Sequence, residues 1–355
     1  IVCSLVGSEM CIRDSPRRYG GTLSWMSSDG EDEEQTDGIG ASEAIKKLEN
    51  FSKTGENFFL AVGFFRPHTP FVAPKKYFDL YNKEDIIIPK SSTEYLKTIP
   101  LPAAKSIRAK KNQLNLDEDL AKEIKQAYYA TISFVDAQLG RIINKLKQTG
   151  LDKNTIIVFI SDHGYHMGEH GHWQKQTLFE NSTNVPLIIN VPGADYKSNI
   201  TMSPVELIDI FPTLMDLTNI IPPKHLVGKS LKPIIENKTS YVRDNALTRW
   251  RNGYSLKTER FRLTKWNMQS GFQYELYDHK FDTDELNNLA LNPSYKVICD
   301  SLVKIIDGRI INANTKPDGL GRQISNVKPI TKPLNLTYGD LYDENGKRIF
   351  LKPTN

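Results

Sequence analysis

The chain has 355 residues, of which 39% are hydrophobic and 25% charged, with a net charge of +4, an ordinary globular composition with enough length for a large core. The positive charge is spread, with no arginine stripe and no interleaved aromatic pattern, which argues against a nucleic-acid binder. No run approaches the roughly 18 apolar residues of a membrane span, and with Cys3 and Cys11 near the start and only Cys299 beyond, no disulfide framework is present.

Residues 1–15 (IVCSLVGSEMCIRDS) do not make a signal peptide, because no basic region opens them and Glu9, Arg13 and Asp14 interrupt the apolar stretch. They are read as a non-native leader and set aside from the fold. Asp29, Glu31, Asp32, Glu33 and Glu34 read as an exposed acidic loop, since no apolar strand precedes them to aim their carboxylates. Residues 42–51 carry Ile45, Leu48 and Phe51 at helical spacing and lead into a strand at 58–64. Residues 74–116 are rich in proline and lysine and read as a long surface excursion beside the site.

A long amphipathic helix is expected at 120–148, with Ile124, Tyr128, Thr131, Val135, Leu139, Ile142 and Leu146 on one stripe, Asp136 off it, and Gly150 as the stop. Strands follow at 155–160 and 185–191. Ser203-Pro204-Val205-Glu206 has the form of a capping box, opening a helix that bends at Pro212. This order of elements predicts an α/β fold with a doubly wound sheet over residues 16–238. Short strands at 245–250, 253–257, 261–266 and 272–277 then predict a smaller antiparallel α+β subdomain at 239–311. A helix at 293–306 would cover it with Val297, Ile298, Leu302 and Ile305 inward. Residues 312–355 form a tail with little periodicity and no assigned role.

Chemistry concentrates in residues 156–175, IIVFISDHGYHMGEHGHWQK. An unbroken run of β-branched and aromatic residues suits a strand buried on both faces. In open α/β sheets ligands bind beyond the carboxyl ends of strands, so Asp162 and His163 would enter a binding crevice. A carboxylate beside an imidazole suits a divalent metal, and Lys175, near Trp173, supplies an ammonium for a tetrahedral oxyanion.

Ser161-Asp162-His163-Gly164, Gly168-Glu169-His170-Gly171, Trp173 and Lys175 resemble the metal-and-sulfate segment of the sulfatases, in the alkaline phosphatase superfamily, and of its iduronate-2-sulfatase branch in particular. The likeness extends upstream to FFLAVGFFRPHTPFVAP at 58–74, where His68 lies between Pro67 and Pro70. Downstream it takes in NVPLIINVPG, PVELIDIFPTLMDL, ELYD and NNLA. It implies an alkaline-phosphatase-like sheet flanked by helices, Asp162 and His163 as ligands of a calcium ion, and Lys175 and His68 at the sulfate, with His170 and Trp173 also on the substrate side. A histidine can protonate a leaving alkoxide and a lysine can neutralise the non-bridging oxygens.

The family's nucleophile is a formylglycine made from the cysteine of a Cys-x-Pro-x-Arg stretch, and no such stretch occurs here; Ser15-Pro16-Arg17-Arg18 is a chance echo. The expectation is therefore a truncated sulfatase acting on a sulfated sugar or glycan, inactive by itself, with periplasmic, secreted or lysosomal location implied by the resemblance. Two other readings remain: a zinc-dependent phosphodiesterase or phosphatase of the same superfamily, which an Asp-His pair permits, and a noncatalytic relative that binds sulfated glycans.

Overall fold

The computed structural model describes residues 2–3, 23–89, 94–108, 113, 116–194 and 200–315, and the backbone of two short strands at 340–342 and 348–350. Through Asn314 the chain forms one unit. It begins with β1 (Val2–Cys3), β2 (Trp25–Ser28), α1 (Thr36–Thr54), β3 (Ala61–Val62) and β4 (Phe71–Pro74). A short α2 (Lys75–Phe78) and α3 (Leu101–Ile107) lead to the long α4 (Glu118–Thr149).

The stripe read in the sequence forms the buried face of α4. Ile124, Thr131, Val135, Ile142 and Leu146 are buried and Asp136 is exposed, because residues three and four apart share a helix face. The Asp117 carboxylate accepts from the backbone N–H groups of Asp119 and Leu120 at 3.1 and 3.2 Å and caps the start. Gly150 ends the helix with φ 72°, left-handed backbone that glycine adopts without a Cβ clash. One end of α4 packs on Phe71, Ala73, Tyr77 and Phe78; the other holds Ala41, Ala44 and Leu48 of α1.

The strands depart from a continuous doubly wound sheet. β2 pairs with β4 in parallel, and Val2–Cys3, in the segment set aside from the fold, pairs in parallel with β3. The strands β5 (Ile157–Ile160) and β6 (Leu187–Asn190) form an antiparallel pair. Nor is β5 buried on both faces: Ile160 is 43% exposed and its neighbour Ile188 is 60% exposed. With no third strand joined to the pair among the described residues, nothing covers these side chains. The strand expected at 58–64 is reduced to two paired residues.

Two further expectations are corrected. Residues 74–116 are not a surface excursion throughout, for among those described Leu96, Ile99, Ala103, Ala104 and Ile107 form a core with Leu178, Phe179, Trp266 and Tyr277. Short helical turns hide apolar residues that have no long period to announce them. The acidic cluster is not uniformly exposed either, since β2 does precede it. Asp32 is 8% exposed, accepting from Tyr77 Oη at 2.6 Å and Gln138 Nε2 at 2.9 Å and pairing with Lys76 at 2.8 Å. Burial opposes its charge, but these partners prevail and hold the carboxyl below its usual range.

Just before β6 lies α5 (Glu180–Thr183), and after it come α6 (Ile210–Leu217) and α7 (Lys232–Ile235). The capping box sits three residues later than read and opens a 3-10 turn at Leu207–Asp209 that leads into α6: Asp209 Oδ2 accepts from Glu206 N at 2.9 Å. Pro212 consequently falls in the first turn, where its missing N–H matters least, instead of bending the helix. Strands β7 (Ala246–Trp250), β8 (Gly253–Lys257), β9 (Phe261–Met268) and β10 (Gly271–Asp278) make the expected antiparallel sheet in sequential order. The helix α8 (Lys296–Asn314) covers it with Cys299, Leu302 and Ile306, while Val297 and Ile305 point outward, 82% and 40% exposed. Leu302 and Ile298 pack on the sheet as expected, while Cys299 and Ile306 take the places expected of Val297 and Ile305. Within the second unit, from Thr315, β11 (Asp340–Tyr342) and β12 (Arg348–Phe350) pair antiparallel.

Two buried carboxylates make the packing testable. Arg243 pairs with Asp209 and with Glu206 at 2.8 Å, and Lys229 N donates to Asp209 at 2.7 Å. Asp209→Ala leaves a buried guanidinium short of one counter-charge and is expected to cost about 3–5 kcal/mol in urea unfolding; a loss below about 1 kcal/mol contradicts this account. Glu275 accepts from Trp266 Nε1 at 2.6 Å and Tyr277 Oη at 2.7 Å, and burial pushes it up to about 7. A raised carboxyl contributes stability that is complete below the ordinary glutamate value and is lost as pH rises through about 7. The wild-type unfolding free energy should therefore lose up to roughly 3 kcal/mol through this group across that window, and Glu275→Gln should flatten the loss. Parallel pH profiles for the two proteins exclude the assignment.

Candidate functional site

The connection from β5 to β6 carries most of the candidate residues with little regular structure, so tertiary bonds must hold it. Ser161 N donates to Pro186 O at 3.4 Å and Gly164 N to Ser182 O at 2.9 Å, folding the loop back on its own return arm. At Gly164 the approach is so close that a Cβ would lie 2.0 Å from the Asn181 carbonyl oxygen. Asp162 and His163 stand just beyond the carboxyl end of β5, where a crevice was expected.

The Asp162 side chain is 84% exposed, and its Oδ2 lies 3.5 Å from His163 Nε2. His163 Nδ1 is 2.9 Å from the Gly164 carbonyl. A carbonyl only accepts, so the ring donates from Nδ1 and leaves the Nε2 lone pair directed to the side of the carboxylate. An imidazole whose second nitrogen is tied to a carbonyl is the usual arrangement of a metal-ligating histidine. The two side chains fit a divalent cation as two members of its ligand set. Among the described residues no third histidine, cysteine or carboxylate gathers with them.

His68 lies on a separate loop, exposed, between the cis peptides Arg66-Pro67 and Thr69-Pro70. Its Nδ1 is bonded to Thr69 O at 2.7 Å, which again leaves Nε2 open. The loop is anchored by Asp37, a 3%-exposed residue in the first turn of α1 whose two oxygens accept from Phe65 N at 2.8 Å and Arg66 N at 2.9 Å. Sequence reading missed Asp37, whose only signal was an acid in a helical first turn. No hydrogen bond or ion pair among the described residues joins His68 to Asp162, His163 or Lys175.

His170 and Trp173, expected on the substrate side, are placed inside the protein. His170 is 4% exposed, bonded through Nδ1 to Tyr95 Oη at 2.5 Å and lying 4.2 Å from the Phe179 ring. Trp173 is 3% exposed within the core against α4. His170 has company in His166 and His172, with ring centroids 5.5 and 5.0 Å from that of His166. Burial lowers all three, His170 and His172 to about 4, so they are neutral at physiological pH and support the loop from beneath. His166 Nε2 meets Thr177 Oγ1 at 2.9 Å, and Thr177 in turn donates to Ser182 Oγ at 2.9 Å. Half-buried Lys175 follows this core, and among the described residues no acceptor occupies its ammonium.

Glu180, His279 and Glu285 also bring ligand atoms within 4.8 Å of one another. Arg262 already sits among them, donating to Glu285 at 2.6 Å and to Glu180. A dication there would meet that guanidinium at contact distance, so the group reads as an ion-pair cluster.

Residues 16–220 match the sulfatase family model, and residues 168–310 match the model of the N-sulphoglucosamine sulphohydrolase C-terminal region. A sulfatase of Formosa agariphila is 35% identical over 265 residues, covering 73% of this chain and 51% of that protein. Iduronate 2-sulfatase of Homo sapiens is 34% identical over 218 residues, covering 51% of this chain and 40% of that protein. The chain therefore spans about half the length, or less, of these relatives. Among solved structures, BT4656 in complex with its substrate D-glucosamine-2-N,6-O-disulfate superposes with a TM-score of 0.65 at 23% identity, covering 80% of this chain and 71% of that one. The architecture is that of the alkaline-phosphatase-like hydrolases, an α/β fold with a C-terminal antiparallel sheet.

The close approach at Gly164 is directly testable. Gly164→Ala should destabilise the chain by about 1–3 kcal/mol in urea unfolding, because the Asn181 carbonyl must move. An unchanged midpoint excludes that contact.

Proposed function

Because the chain belongs to the sulfatase family, we propose that residues 161–175 and His68 form part of a site that hydrolyses sulfate esters on a sulfated sugar, with a preference of the iduronate-2-sulfatase kind. The observation that carries the reading is the Asp162–His163 pair, its imidazole oriented by the Gly164 carbonyl and its carboxylate open to solvent. Asp162 and His163 would hold a calcium ion, which supplies positive charge to the sulfate oxygens when bound.

Lys175 brings an ammonium that no acceptor occupies among the described residues, and it neutralises charge gathering on the non-bridging oxygens in the transition state. His68, when doubly protonated, keeps Nδ1–H on the Thr69 carbonyl and donates its Nε2 proton to the departing sugar oxygen. Asp37 positions that imidazole through the backbone of Phe65 and Arg66. His170 and Trp173 act by holding the loop rigid, and rigidity matters because a small displacement of a reacting group weakens catalysis steeply. The attacking group is a formylglycine in this family, and this chain carries no Cys-x-Pro-x-Arg stretch to make one. The chain by itself binds metal and sulfate without turnover. On this reading the protein works in the periplasm, outside the cell or in a lysosome. A phosphatase reading has only the Asp-His pair in its favour, while the relatives at 34–35% identity are sulfatases.

In the presence of calcium, inorganic sulfate should raise the thermal midpoint of the wild-type chain, and Lys175→Ala should abolish the rise. Asp162→Asn should weaken calcium binding at least tenfold by calorimetry, and an aryl sulfate should not be hydrolysed. Metal-dependent turnover by the wild-type chain overturns its inactivity, and a sulfate effect that survives Lys175→Ala overturns the assignment of the site.

A further inference from the structure

A cleft of about 570 Å³ is walled by α3, by Gln176, which follows Lys175 in the chain, and by the turns that join β7 to β8 and β9 to β10. That volume is within the usual range for a small-molecule pocket, about 300–1,000 Å³. Gln176 directly follows Lys175, so the wall begins one Cα step, about 3.8 Å, from the proposed sulfate-binding residue. The lining is chemically one-sided. It carries the cations Lys105 and Arg251, the indole of Trp250 and the side-chain amides of Gln176 and Gln269, and it includes no carboxylate.

Arg251 is the informative member. It occupies the first position of the two-residue turn between Trp250 and Gly253, with φ 50°. Turns of this kind favour glycine, asparagine or aspartate at a left-handed position, because a Cβ crowds the backbone there. Turn formation alone does not explain an arginine, and backbone strain of this kind gathers at ligand sites. Its guanidinium lies 4.7 Å from the centroid of the Trp250 ring, making a flat cationic and aromatic platform. The turn is also braced: Asn252 Nδ2 donates to Asn267 O at 2.5 Å and Asn267 N to Asn252 O at 3.0 Å, locking the two turns together. Among the described residues, no acceptor occupies the side chain of Lys105 or Arg251.

We propose that this cleft is a second saccharide subsite, which takes the sugar adjoining the sulfated unit and selects one that carries an oxyanion of its own. The proposal rests on the sulfatase reading of the neighbouring site and specifies its substrate as an anionic oligosaccharide. Trp250, with one face under Arg251, adds apolar surface to the wall that meets the sugar, the amides meet hydroxyl groups, and the Arg251 fork with Lys105 meets a sulfate or carboxylate. Because the oxyanion could be either, the test must separate them.

Binding to the full chain with calcium present would be measured by calorimetry for four probes. These are a 2-O-sulfated iduronate monosaccharide, the same unit linked to a neutral sugar, and the same unit linked to a sugar bearing a second sulfate or a carboxylate. The wild type should bind at least one doubly anionic disaccharide tenfold or more tighter than the neutral one, and whichever anion gains identifies the group selected. Arg251→Ala and Lys105→Ala should each reduce that preference at least threefold and leave the monosaccharide unchanged. Trp250→Phe, which keeps an aromatic face, should retain most of the disaccharide affinity. Equal binding of all three disaccharides by the wild type, or a preference that survives both charge removals, overturns the subsite. If the monosaccharide binds and Lys175→Ala abolishes it while the disaccharides show no preference, the subsite alone fails. If the monosaccharide does not bind, the sulfatase reading fails and the subsite with it.

Discussion

Arg262 of β9 is the interaction on which the arrangement of the site segment depends. Its guanidinium, on a residue 2% exposed, donates to Glu285 at 2.6 Å, to Ser255 at 3.0 Å and to Glu180 at the start of α5. Glu180 N in turn donates to Glu285 at 2.8 Å, and His279 Nε2 meets the same carboxylate at 2.7 Å. Burial alone would raise Glu285, but Arg262 and His279 more than offset it and hold its carboxyl below the usual range. Such a cluster adds little net stability over an apolar one, yet it is expensive to break, because any missing member leaves a buried charge. It therefore works as a locating pin between the C-terminal sheet and α5.

From α5 the constraint passes to the ligands. Ser182 receives Gly164 N through its carbonyl and Thr177 Oγ1 through its hydroxyl, and Asn181 presses against Gly164. Asp162 and His163 precede Gly164 directly, so their direction is set by a chain of contacts ending at β9. The sheet and the loop meet again at Phe179, which packs with Trp266 and Tyr277 as well as with His170. An irregular loop can aim catalytic groups only if its backbone has tertiary partners, since it has no repeating hydrogen bonds of its own.

This dependence also gives the C-terminal sheet a place in substrate recognition. The same strands that carry the anchor end in the turns at Arg251 and Gln269, and these face the cleft beside Gln176. One rigid element thus positions the loop of the proposed metal ligands and supplies the proposed selectivity for a neighbouring sugar, keeping both on a common frame.

What the sequence determined by itself was whatever depends on short-range periodicity or on residue chemistry at fixed spacing. The helix ending at Gly150, the four strands from Ala246 to Asp278 and the Asp162–His163 pair after an apolar strand were all legible, because each repeats or concentrates within a few residues. Only the tertiary structure decided the rest. It buried His170 and Trp173, turned Ile306 inward in place of Ile305, made a core of residues 96–107 and recruited Asp37 to hold the His68 loop. These outcomes rest on contacts between residues far apart in the chain, such as Tyr95 with His170 or Glu180 with Arg262. A histidine that binds a ligand and one that fills a core read alike until the neighbours that desolvate it are known.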